Sequence, residues 1–145
     1  VFGYTLYTCQ YICQEPSLQN VYNLYNICMI QVELPLKPIT VNSAFRAIPR
    51  GNYCTNIKSK KYRDFEKDCL SLLPKKEMIK GNVELTIEFY LKSRYKTTDT
   101  NNLIKPLIDI LETARYFEND NKIIREHYYK YQAKDWKINI VINKA

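Results

Sequence analysis

A chain of 145 residues, 46% of them hydrophobic, is long enough to bury a sizeable core and short enough to be one domain. Its 22 basic side chains against 15 acidic ones leave a net charge of +7, which suits a polyanionic partner and disfavours a strongly acidic surface. Five cysteines (Cys9, Cys13, Cys28, Cys54, Cys69), odd in number and without a C-x-x-C pair, give no support to a zinc site or a disulfide framework. No apolar run reaches membrane-spanning length, so the expectation is a soluble, cytoplasmic protein with reduced thiols.

Residues 1–30 stand apart. They hold five tyrosines, three cysteines and one charged side chain, Glu15, so residues 31–145 carry 22 basic against 14 acidic groups. No period of two or 3.6 residues runs through this stretch, and it reads as an unassigned N-terminal extension of a domain spanning 31–145. Met29 to Leu34 is a strand candidate closed by Pro35 and Pro38. The following Thr40 to Arg46 reads as a loop held by Asn42, with Arg46 and Arg50 offering guanidinium groups to phosphate.

Ser59 to Leu73 has a helical pattern. Ser59 is placed as an N-cap, Tyr62, Phe65, Cys69 and Leu72 form an apolar stripe, and Pro74 ends the run. Lys58, Lys60, Lys61 and Arg63 crowd its start, where cations oppose the helix dipole. Such a run is commonly a solvated face, and contact with a DNA backbone is the functional alternative. Val83 to Leu91 alternates strictly, with Val83, Leu85, Ile87, Phe89 and Leu91 on one face of a strand. Lys92, Arg94 and Lys96 follow it. Ile123 to Tyr131 and Trp136 to Ile142 supply two more strands, giving an α/β (α+β) single domain: a mixed sheet of about four strands with two principal helices.

The second helix lies in Asp99 to Asp120, DTNNLIKPLIDILETARYFEND. Leu103, Ile104, Leu107, Ile108, Ile110 and Leu111 form a broad apolar face. Pro106 belongs near a first turn, which sets Asp99 and Asn101 just ahead of the helix. Lys105 and Asp109 share a face at i, i+4, and Asp120 falls in the turn before the next strand. Two carboxylates, an amide and a lysine can thus converge at one helix end. Spacing alone equally allows ordinary Asx caps and turns. The sole histidine, His127, sits in a strand and reads as a sheet residue. With three glycines and neither phosphate-cradling motif, no nucleotide cofactor is expected.

The pattern resembles the RusA-type Holliday-junction resolvases, whose motif runs D-x-D-N-L-x-K-x-x-x-D-x-L, with a further D-D before a strand. Asp99, Asn102, Leu103, Lys105, Asp109 and Leu111 stand in register with it, and Asn119-Asp120 falls at the acidic pair. Val41-Asn42 with Phe45-Arg46 also looks like that family. Asn101 stands where the family's second motif aspartate is expected. The resemblance implies a magnesium-dependent, structure-selective endonuclease that nicks four-way DNA junctions as a homodimer in recombination and repair. It assigns Asp99, Asn101 and Asp120 to Mg2+ and Lys105 to the reacting phosphate. DNA contacts are expected at Arg46, Lys58, Lys60, Lys61, Arg63, Lys92, Arg94 and Lys96. Asn101 leaves open an alternative, a basic junction-binding protein with little or no cleavage.

Overall fold

The computed structural model describes residues 29–145. The expected extension therefore lies outside the described residues, except for Met29 and Ile30. These open strand β1, Met29–Leu34.

Beyond β1 come a short helix α1 (Val41–Ala44), an antiparallel ribbon of β2 (Phe45–Arg50) and β3 (Tyr53–Lys58), and helix α2 (Lys60–Leu72). Strand β4 (Val83–Leu91), helix α3 (Asn101–Thr113), a 3₁₀ turn at Asp120–Lys122, β5 (Ile123–Gln132) and β6 (Lys137–Lys144) complete the domain. Four strands form a mixed sheet in the order β1-β6-β4-β5, in which β4 and β5 are parallel and the other pairs antiparallel. The expected mixed α/β architecture is borne out.

Alternation fixes the sheet. Val83, Leu85, Ile87, Phe89 and Leu91 of β4 are buried on one face, beside Ile138, Ile140 and Ile142 of β6 and Ile30, Val32 and Leu34 of β1. A one-residue slip of β4 would expose that whole set, so the register is strongly determined. The helical period of α3 answers it: Leu103, Ile104, Leu107, Ile108, Ile110 and Leu111 are all buried in the same core. On α2 the buried positions are Tyr62 and Cys69, with Leu73 buried just past its end. Leu72, expected in the stripe, is instead 47% exposed. The reason is local: one turn beyond Cys69 the chain places Leu73, not Leu72, over the core.

Two local expectations need correction. Thr40 to Arg46 is not an irregular loop held by Asn42. Thr40 caps α1, its Oγ1 accepting from the Ser43 N–H at 3.3 Å, and the chain passes directly into β2. The ribbon partner β3 follows a two-residue turn in which Gly51 takes φ +60°, the left-handed conformation a tight hairpin needs and glycine supplies.

The second correction concerns α3, which begins at Asn101 rather than beyond it. Pro106 lies in its second turn and is buried; it cannot donate to the Asn102 carbonyl four residues back. The first helical N–H, that of Asn101, is met from outside by Asp99 Oδ1 at 3.0 Å.

Candidate active site

The unit β4–α3–β5 carries every acidic residue singled out above. After β4 the chain makes a turn in which the N–H groups of Thr97 and Thr98 donate to the Arg94 carbonyl, at 3.2 and 2.9 Å. Arg94 itself holds φ +57°, a conformation that costs a side-chain-bearing residue energy and recurs at ligand sites. This loop delivers Asp99 to the mouth of α3.

Helical geometry then sets Asn101, Lys105 and Asp109 in a row on the face of α3 opposite the core, one turn apart. Lys105 Nζ donates to Asp109 Oδ1 at 2.7 Å and lies 3.7 Å from Asp120 Oδ2. Asp120 comes from the turn before β5, so Lys105 ties the end of the crossover back to the helix's first turns. The hydrogen bond to Asp109, reinforced by the charges of Asp109, Asp120 and Glu112, raises the Lys105 pKa above its ordinary value despite partial desolvation. Lys105 therefore stays a cation throughout the neutral range and cannot serve there as a base.

Lys105 thus joins Asp109 and Asp120, while Asn101 lies one turn earlier on the helix and Asp99 is tied to the Asn101 backbone. Among the described residues no three His, Cys, Asp or Glu side chains cluster to hold a metal. Position 101 carries an asparagine, and Lys105 stands between Asp109 and Asp120. The donors present are nonetheless oxygens, the type a hard dication takes. Beside Asp120, the Asn119 Oδ1 is buried without a hydrogen-bond partner among the described residues. The residue before Asp120 thus adds one more oxygen of the type a hard dication takes.

The basic residues divide into two groups. Lys58 pairs with Glu66 at 2.9 Å and lies 4.9 Å from the Tyr62 ring centre, Lys60 stands 4.0 Å from Asp64, and Arg63 Nη1 reaches the Lys58 carbonyl at 3.5 Å. These three are engaged locally. Arg46, Lys61, Lys92, Arg94 and Lys96 are exposed without a carboxylate partner among the described residues. His127 faces Glu84 across the sheet at 3.2 Å, as a sheet residue should.

One residue passes unnoticed in the sequence. Lys130, in β5, sends its ammonium to the carbonyls of Tyr95 and Thr98, at 3.0 and 2.8 Å, and lies 5.3 Å from the Tyr95 ring centre. It pins the loop that ends in Asp99. The alternation of β5 marks Lys130 as facing inward with Tyr128, which is a weak signal and the only one available.

A family model described as Endodeoxyribonuclease RusA matches residues 35–143. The chain belongs to the RusA family. The matched segment includes all of α1 to β5 and most of β6, and with them every site residue named here. RusA nucleases act on branched DNA and are in general dependent on a divalent metal. A comparison with curated proteins found no match. No helix among the described residues is long and apolar enough to cross a membrane.

Proposed function

We infer that the α3 row is the active site of a magnesium-dependent endonuclease that nicks four-way DNA junctions in recombination and repair. The observation that carries this reading is the meeting of Lys105 with Asp109 and Asp120 inside the segment matched as RusA.

Asp99 and Asp120 would hold the ion, with the Asn101 amide oxygen as a weaker, neutral donor. When bound, Mg2+ supplies a polarised phosphoryl group and a bound water acidic enough to attack at neutral pH. The protein's own part is positional and electrostatic. Lys105, kept charged by Asp109, is placed to stabilise negative charge gathering on the phosphoryl oxygens or on the leaving oxygen. Asp109 is a positioning residue, since it acts through Lys105. The exposed cations Arg46, Lys61, Lys92, Arg94 and Lys96 would hold the strand by its phosphates, with Lys58, Lys60 and Arg63 contributing where DNA displaces their local partners. A two-fold dimer would offer two such sites to a junction that is itself two-fold related.

Incubating the purified protein with a synthetic four-way junction and Mg2+ tests the reading. Paired nicks near the crossover are expected, and their absence at every metal concentration contradicts it. A second reading, junction binding without cleavage, draws on one observation: no trio of acids forms among the described residues. Tight binding with no cleavage, both in the wild type and in Asn101→Asp, would favour it.

A further inference from the structure

A cavity of about 390 Å³ opens beside the loop that delivers Asp99. Its walls come from the segment before α1, from α2, from the end of β4 and the loop after it, from the start of α3, and from Trp136 ahead of β6. Three cations, Lys37, Lys61 and Arg94, line it. None of them has a carboxylate partner among the described residues, and no acidic residue lines the space. Hydroxyl side chains also line it: Ser93 and Thr98, and Ser43, whose oxygen accepts from Thr40 and whose own hydrogen stays available to donate. Phe65 and Trp136 also line it, with the Lys37 ammonium 5.1 Å from the Trp136 ring centre.

We propose that this cavity binds one unstacked nucleotide of the DNA strand, with its phosphate on Lys61 and Arg94 and its base against Trp136 and Phe65. The inference rests on the nuclease reading and adds a subsite to it. A concave site of this volume is in the usual range for a small organic ligand, about 300–1,000 Å³, and excludes a stacked duplex. Cations and hydroxyls without a carboxylate select an anion, while the aromatic walls would gain nothing from a bare phosphate. Together they match a nucleotide, whose base stacks on an aromatic face whatever its sequence. A four-way junction offers such a nucleotide at the point where strands part. Thr98 lies in the cavity wall and Asp99 follows it in the chain, so the cavity adjoins the loop that leads to α3.

Trp136 is the sole tryptophan in the chain, so its fluorescence reports on the cavity directly. The probes are a four-way junction in Ca2+, single-stranded oligothymidylate, a fully paired duplex and inorganic phosphate. Junction and oligothymidylate should quench Trp136, and duplex and phosphate should leave it nearly unchanged. Lys61→Gln should weaken the quenching and lower the slope of log affinity against log salt by about 1, as for one lost phosphate contact. Arg94→Gly, which keeps a backbone that glycine tolerates, should do the same. Quenching by oligothymidylate in a protein that cuts no junction would uphold the subsite and overturn the nuclease reading. Junction binding in a mobility shift with no change in Trp136, no quenching by any DNA, or full quenching by phosphate alone would each overturn the subsite.

Discussion

The β4–α3–β5 unit and the β2–β3 ribbon are neighbours in one chain, yet they are held in place by different physics. Every second residue of β4 is buried, and the inner face of α3 closes over that surface. In the ribbon no residue of either strand is buried, and it carries Arg46 and Arg50 on an exposed surface. A rigid unit can hold several polar groups in fixed relation, which chemistry needs. A two-stranded ribbon without a buried face is marginal alone and better suited to adapting against a partner.

The largest expected contrast is in stability. Phe89→Ala, in the wholly buried face of β4, should cost about 3–5 kcal/mol by denaturant unfolding, whereas Ile48→Ala in the ribbon should cost about 1 kcal/mol or less. Equal losses would show that the ribbon is as much a part of the core as β4.

Next is Lys105. Lys105→Ala should lower junction cleavage roughly 10²–10³-fold, the effect typical of removing one group that stabilises developing charge. Junction affinity in Ca2+ should change little, and so should the Mg2+ concentration needed. Ribbon substitutions should show the reverse pattern. Arg46→Gln is expected to weaken binding and flatten its salt dependence by about 1 while leaving single-turnover cleavage of bound junction nearly intact.

Lys130 tests whether the unit's rigidity extends into its loop. Replacing it with Met removes two hydrogen bonds from a charged donor, each worth about 1.5–3 kcal/mol, and should lower kcat with KM nearly constant. Lys130→Arg should restore part of the rate. If Met and Arg behave alike, the loop carrying Asp99 does not depend on Lys130.

The smallest effect lies in α2, between the two regions. Burial, aided by the charges of Asp68 and Glu66, pushes the Cys69 thiol up from about 9 to about 12. Unfolding frees it to ionise, so the neutral thiol's contribution is intact below pH 9 and is lost as pH rises from 9 towards 12. Cys69→Val should therefore unfold with a shallower alkaline dependence in that window, detectable by circular dichroism.

The same contrast explains what could be read from the sequence. The strict alternation of Val83 to Leu91 and the apolar period of Leu103 to Leu111 are direct imprints of burial, and both elements appear where the pattern puts them. The ribbon has no buried face to leave such an imprint. Its one cue is the Gly51-Asn52 pair, easily overlooked without alternation on either side. Pro106 misleads about the start of α3 because its local penalty is outweighed by the burial of the helix's whole inner face. At the site, the i, i+4 relation of Lys105 and Asp109 follows from helical spacing alone. The approach of Asp120 to Lys105 spans 15 residues and needed the crossover, and Lys130's reach to Thr98 spans 32. Spacing in sequence carries no record of such meetings.

If Asp99 and Asp120 serve one cation at the mouth of α3, as proposed, a double-mutant cycle on junction cleavage will reveal it. Rates in saturating Mg2+ would be compared for the wild type, Asp99→Asn, Asp120→Asn and the double variant, with junction binding in Ca2+ as the control for folding. Each single change should remove most of the cleavage, and the double change should cost little more than either alone, because residues acting as a unit are strongly non-additive. Fully additive losses, or cleavage unimpaired in either single variant while binding persists, would contradict it.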